Sequence, residues 1–298
     1  MQTDIPVFSV VLPCYNRAQM LEGAIQSVIS QQFTDWELLV VDDGSTDDSK
    51  AVVEQFADAR IRYIWQDNAE RGAARNTGIK NSRGSFICFL DSDDYFLPNH
   101  LTIASEVIQS NPAAHVFHLN YEFRDRDGRV TTVARSLPGI LNKLLIRENV
   151  ISCNGIFIAR NVFDRHMFSE VRDLSGTEDY ELWLRIASFY PIRHIDTVTS
   201  VIVIHTDRSM ENANIDVLKR RIEAFLLLIN QSEQVRKFIG SEWGRFNSNR
   251  LSYISLHAAL ANEKKMAFRY LFRSWTVDKN AIFTKRSLVI LKLILLKK

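Results

Sequence analysis

The chain has 298 residues, 46% hydrophobic and 24% charged, with a net charge of +2. That length holds one large domain, or one domain with an extension, and the composition is that of a globular protein. A charge so near balance supplies no global field for nucleic acid, which is not an expected partner.

The opening stretch MQTDIPVFSVV lacks the basic region and long apolar run of a signal peptide, and no window of 18 or more apolar residues offers a membrane span. Four short apolar runs follow: Phe8–Leu12, Trp36–Val41, Ile61–Trp65 and Phe86–Leu90. Their length and β-branched content predict strands, with the first, second and fourth buried and parallel. Helix-period segments lie between them. In Ala18–Gln31, Leu21, Ala24, Ile25, Val28 and Ile29 share one face; Val52, Val53 and Phe56 do so in the next segment. This alternation predicts a parallel α/β sheet, in which ligands bind beyond the carboxyl ends of the strands. Further on, Arg124–Gly128 between His115–Phe123 and Arg129–Ala134 signals a hairpin. Thr177–Tyr190 reads as a helix with Tyr180, Trp183, Leu184 and Ala187 on one stripe, and the pattern beyond Ser209 is helical. Cys14, Cys88 and Cys153 are odd in number and lack metal-ligand spacing, so they read as reduced thiols of a cytoplasmic protein.

The polar clusters fall at the predicted strand ends: Pro13–Cys14–Tyr15–Asn16–Arg17, Asp42–Asp43–Gly44–Ser45–Thr46–Asp47 and Asp91–Ser92–Asp93–Asp94. Three carboxylates within Asp91–Asp94 repel and raise one another's pKa, which a fold tolerates when a cation sits among them; a solvated turn is the competing reading. Three such clusters on one edge of one sheet build a site.

These clusters, with Gly72–Ala73–Ala74–Arg75–Asn76–Thr77–Gly78–Ile79, Thr177–Glu178–Asp179 and His205, resemble in order and spacing the signatures of family 2 glycosyltransferases. The resemblance spans residues 7 to 209 and implies a GT-A fold, a nucleotide-diphosphate sugar donor with a UDP-sugar favoured, a divalent metal and inversion at the anomeric carbon. A cation of the Mn²⁺ or Mg²⁺ type neutralises the departing diphosphate and needs only one or two carboxylates beside phosphate oxygens. Asp93 and Asp94 are the candidate ligands, with Asp91 nearer the ribose or donor sugar. The family pattern puts His205 near the diphosphate and metal; a hydrogen-bonded structural histidine is the other reading. Asp43 lies where the family binds the base and suits the N3–H of uracil. Tyr15 is a stacking candidate, Pro13 supplies backbone contacts, and Asp42 braces the loop. Arg71 and Arg75 suit the diphosphate, with salt bridges as the alternative. Ser92 and Asn76 join the donor-binding set, Asn76 with Gly78 also reading as a lock between helix and sheet. The family assigns Asp179 as general base; a carboxylate favoured by the helix dipole, behind a Thr177 cap, is the plain alternative. Cys14 departs from the small hydroxyl residue common before the Tyr.

The fold expected is α/β of GT-A type with a mostly parallel central sheet over 1–208, and a helical C-terminal extension over 209–298. The function expected is inverting sugar transfer to a glycan or lipid-linked acceptor, in surface polysaccharide or lipid-linked glycan synthesis. The alternative is a catalytically inactive sugar-nucleotide and metal-binding module. A phosphotransferase would need its nucleophilic Asp after the first strand, where Pro13–Cys14–Tyr15 stands. The tail 285–298 is apolar with basic flanks and too short to cross a bilayer. It reads either as a helix lying on the cytoplasmic face of the inner membrane or as one packed on the catalytic domain or on the second subunit of a homodimer.

Overall fold

The computed structural model describes residues 5–204 and 214–296. The apolar runs form strands β1 (Phe8–Cys14), β2 (Trp36–Asp42), β3 (Ile61–Trp65) and β4 (Phe86–Phe89), separated by helices α1 (Ala18–Ile29), α2 (Ser49–Glu54) and α3 (Glu70–Asn81). They are followed by β5 (Tyr95–Phe96), α4 (His100–Ser110), the hairpin β6 (Val116–Arg124) and β7 (Val130–Val133), α5 (Asn142–Leu145), β8 (Ile156–Ala159), α6 (Glu178–Ala187) and β9 (Arg193–Val203). The strands build one sheet in the order β3-β2-β1-β4-β8-β6-β9-β5, with β7 on β6.

The sheet is mixed. Its β3-β2-β1-β4 half is parallel throughout, as the alternation of runs and helices predicted. Beyond β4 the pairings with β8, and of β8, β7 and β5 with their neighbours, are antiparallel, while β6 and β9 run parallel. Alternate residues of a strand face opposite sides, and the core divides accordingly. Val10, Leu12, Leu38 and Val40 pack with Leu21, Ile25 and Val28 of α1 on one side. Val11, Leu39, Val41 and Phe89 pack with Ala74 and Ile79 of α3 and with Leu182, Trp183 and Ile186 of α6 on the other.

The C-terminal region is helical: α7 (Ile215–Gln231), α8 (Glu233–Ile239), α9 (Trp243–Leu260), α10 (Lys264–Val277) and α11 (Lys285–Leu296). Ile222, Phe225, Ile229, Val235, Phe246 and Ile254 share the core cluster of β1, β2 and α6, so this region is fused to the sheet. The tail helix α11 packs through Ile290 against Ala258 of α9 and Ala267 and Leu271 of α10, within the C-terminal region itself, and leaves its other side in solvent. No helix among the described residues is long and apolar enough to cross a membrane.

Candidate active site

Parallel pairing fixes the site. Cys14 stands opposite Asp42, Val11 opposite Phe89 and Asp42 opposite Trp65, so the loops after β1, β2, β3 and β4 leave one edge together. They enclose a cleft of about 790 Å³. Pro13, Tyr15, Asp43, Arg71, Arg75, Asp91, Ser92 and Asp93 all line it, as expected of a donor site, and so do Asn16, Arg17, Asn68, Glu70 and Ser175.

The loops are tied to one another. Asn16 takes a left-handed φ of 51°, which Asn tolerates. There its Oδ1 accepts from Thr46 N at 2.8 Å, and its own N–H donates to Ser45 Oγ at 2.9 Å. Asp42 braces this turn as expected, accepting from Ser45 N at 2.7 Å and from the Tyr63 hydroxyl at 2.7 Å. Gly44 has φ +83°, and a Cβ there would stand 2.9 Å from Asn68 N, so only glycine fits. Asp43 Oδ1 accepts from Gln66 Nε2 at 2.6 Å and Ala69 N at 2.9 Å. Burial nevertheless raises its pKa above the usual carboxylate range.

At the other end of the cleft one cation organises the acids. Arg75 is 2% exposed. Its Nη2 donates to Asp91 Oδ1 at 2.8 Å and its Nη1 to Glu178 Oε1 at 2.8 Å. Both terminal nitrogens are therefore committed to carboxylates, the salt-bridge reading of this arginine. Arg71 keeps a third of its side chain exposed, with Nε 3.9 Å from Glu178 Oε1. Glu178 Oε2 also accepts from Gly176 N at 2.6 Å, so this carboxylate fastens the start of α6 to α3.

Asp179, in the first turn of α6, does not line the donor cleft but neighbours its acids. Burial first, then the negative charge of Glu178, push its carboxyl up to about 7, against the opposing charge of Arg75. Its Oδ1 accepts from Tyr180 N at 2.6 Å and its Oδ2 from Asn149 Nδ2 at 3.4 Å. Thr177 precedes the helix but does not cap it; its hydroxyl donates to Leu174 O at 3.0 Å.

Three expectations meet a different geometry. Asp94, paired with Asp93 as a ligand candidate, is buried away from the cleft lining. Its Oδ2 accepts from Asn154 Nδ2 at 2.7 Å and its Oδ1 from Val203 N at 2.8 Å, while burial and the charges of Asp93 and Asp91 raise its pKa well above the usual range. Both oxygens are occupied, one holding the loop to β9 and the other to the turn before β8. Asn76 also lies outside the cleft lining. Its amide nitrogen donates to Phe168 O at 2.9 Å and Glu170 Oε1 at 2.8 Å, and its oxygen accepts from Phe168 N at 2.9 Å. It is a lock, beside Gly78, where a Cβ would stand 2.3 Å from Val11 Cγ1. His205 lies outside the described residues.

Two contributors were not among the expected site residues. Asn154 accepts from Asp91 N at 2.9 Å while donating to Asp94, clamping both ends of the acidic turn. Glu178 passes for an ordinary first-turn acid until Arg75 is seen against it. Burial pushes the thiols of Cys14 and Cys153 up, so neither is a thiolate nucleophile. Among the described residues no group of three or more His, Cys, Asp or Glu side chains converges as a metal cage. The accessible donors are Asp91 and Asp93, a set that suits a hard cation completed by phosphate oxygens and water.

The model of the glycosyl transferase family 2 matches residues 9–168, and the chain belongs to that family. Over 184 residues it is 34% identical to the UDP-Glc:alpha-D-GlcNAc-diphosphoundecaprenol beta-1,3-glucosyltransferase WfgD of Escherichia coli, covering 61% of this chain and 70% of that one. It is 27% identical to chondroitin synthase of Escherichia coli over 230 residues, 76% of this chain but only 33% of the synthase. The chain thus spans about a third of the length of some of its curated relatives. Among solved structures, S. aureus TarS 1–349 in complex with UDP-GlcNAc superposes with a TM-score of 0.64 at 17% identity, covering 92% of this chain and 90% of that one. Mannosyltransferase PcManGT from Pyrobaculum calidifontis, with GDP-Man and Mn²⁺, gives 0.57 at 16% identity over 99% and 89%. The fold is of the GT-A type.

Proposed function

We propose that the chain transfers a sugar, with inversion, from a UDP-sugar to a hydroxyl of a glycan or lipid-linked acceptor, with Asp179 as general base. The observation that carries the reading is the pairing of an acidic, arginine-lined cleft with a neighbouring carboxylate whose pKa is raised to about 7. A base works best when its pKa is near the working pH, because it is then both available and basic enough. Asp179 would accept the proton of the acceptor hydroxyl as that oxygen attacks the anomeric carbon from the face opposite the diphosphate. Asp43 offers an acceptor to the base N3–H, and Tyr15, 49% exposed on the cleft wall, offers a ring face. Arg71, and Arg17 beside Tyr15, take over the diphosphate contacts that Arg75 is too engaged to make.

Asp93, with Asp91 beside it, would hold a Mn²⁺ or Mg²⁺ ion, Asp94 serving to orient the turn. When bound, that ion supplies neutralisation of the charge that builds on the leaving diphosphate. The donor named for WfgD and the ligand of TarS are both UDP-sugars, which supports the choice of base. Incubation with a panel of UDP-sugars, Mn²⁺ and simple acceptors, followed by proton NMR, tests the reading. UDP release with inverted anomeric configuration is the expected result. UDP binding with no release under any donor would overturn it in favour of an inactive sugar-nucleotide-binding module.

A further inference from the structure

Away from the cleft, charge gathers in the last two helices. Residues 261–298 hold ten Lys and Arg against two acids, Glu263 and Asp278, a net +8 in a chain whose total is +2, so residues 1–260 carry −6. The same segment leaves apolar side chains in solvent. One face of α11 is used inside the protein: Ile290 is buried, and Ser287 accepts from Trp275 Nε1 at 3.1 Å. The opposite stripe, Lys285, Leu288, Lys292 and Leu295, follows a spacing of three to four residues and so lies along one side of the helix. Its leucines are 61% and 75% exposed. The turn that leads into it carries Phe283, 84% exposed. On α10, Phe268 and Phe272 stand one turn apart and exposed, with Lys265 one turn before them.

We propose that the outer surface of α10, the turn and α11 seats on an anionic lipid bilayer. Phe283 and Leu288 enter the boundary between headgroups and acyl chains, while Lys285 and Lys292 reach lipid phosphates. The 12 residues of α11 span about 18 Å, against ~30 Å of hydrocarbon, so the helix lies along the surface. Charge decides among occupants. A symmetric contact with a second copy would press two strongly positive surfaces together. Single-stranded nucleic acid gains from aromatic stacking and gains little from a leucine stripe. An anionic membrane satisfies the apolar and the basic residues at once.

The test is flotation of the full chain with vesicles of phosphatidylcholine alone and of phosphatidylcholine with phosphatidylglycerol. The protein is expected to float with the anionic vesicles, to leave them as salt rises, and to ignore the neutral ones. Phe283→Ser with Leu288→Ser, and separately Lys285→Glu with Lys292→Glu, should each lower partition on the order of tenfold or more. Phe283, Lys285, Leu288 and Lys292 all lie outside the donor cleft, and circular dichroism melts of both variants should match the parent. Partition is read without any turnover, so the result stands apart from the transfer reaction. Equal partition onto neutral vesicles, or variants that float like the parent, would overturn the proposal. So would a concentration-dependent dimer that Phe283→Ser with Leu288→Ser dissolves in a protein that never floats, or a preference for RNA over anionic vesicles.

Discussion

Replacing Asp179 by Asn separates a catalytic carboxylate from a helix-terminal one. The change keeps the shape and removes the base. Turnover with a competent acceptor should fall by about 10²–10⁴-fold, in kcat, while UDP affinity holds. Stability should move the other way. The carboxyl is raised from 3.8 to about 7, roughly three units at 1.36 kcal/mol each, so its ionisation costs the folded state at most about 4 kcal/mol. Partial exposure of the side chain reduces this, and about 1–2 kcal/mol is expected. The sign follows from linkage. An acid whose folded pKa lies above its unfolded value favours folding at low pH, and that advantage is lost as pH rises through about 7. Asn escapes the penalty, keeps an oxygen for Tyr180 N and gives up only the long 3.4 Å contact from Asn149 Nδ2, so the variant should melt higher than the parent at pH 8 and show no such gain near pH 4. Calorimetry with UDP, melts at the two pH values and a turnover assay complete the test. Near-parental turnover would remove Asp179 from the mechanism. A lower melting temperature at pH 8 would show a carboxylate that holds the helix instead of straining it.

The pH profile of the parent follows from the same group: kcat/KM should rise with pH and level off above about 7, and an acid limb absent from that region would refute the assignment. UDP should raise the melting temperature with Mn²⁺ and not in EDTA, and Asp93→Asn should abolish that difference; equal shifts in both conditions would remove the cation. Asp94→Asn should instead cost about 1–3 kcal/mol of stability, since its amide sets a donor against either Asn154 Nδ2 or Val203 N. Asn76→Ala should cost about 2–3 kcal/mol in urea melts and leave the Kd for UDP unchanged, because its hydrogen bonds serve the 168–170 loop; a weaker Kd at equal stability would return it to the donor site.

The parallel half of the sheet was legible because each of its strands is one apolar run and each connection carries a helical stripe. From that half alone the common edge of the Tyr15, Asp43 and Asp91 loops follows, and eight of the expected residues do line the cleft. The other half was harder to read. Strand β9, Arg193–Val203, opens with mixed polar and apolar residues of irregular burial, so no clean alternation announces it. Ile156–Ala159 gave no signal, although it joins the two halves as β8. The side-chain errors share a cause. Asp93 and Asp94 are adjacent and chemically identical, and they differ only in what folds over them: Asn154 and Val203 arrive from 60 and 109 residues away. Local pattern reports which way a backbone runs; it does not report which distant amide claims a carboxylate.

Arg75 shows what such distant claims accomplish. It joins Asp91, 16 residues on, to Glu178, 103 residues on, and so connects the turn at the donor cleft to the helix that carries Asp179. A buried ion pair is weak evidence for stability, because desolvation offsets the attraction. Here the arginine meets two carboxylates and opposes the rise of a third. Without its charge, Asp91 and Glu178 would push Asp179 further up with less to oppose them. With a second cation in direct contact, the same carboxyl would fall toward its ordinary value. The geometry sets Asp179 between these limits: Glu178 stands next to it in the chain and raises its pKa, while Glu178 itself holds the guanidinium that restrains the rise. The acid that looked like a helix-dipole residue thus adds to the rise that burial imposes on its neighbour, and ties the helix that carries both to Arg75 of α3.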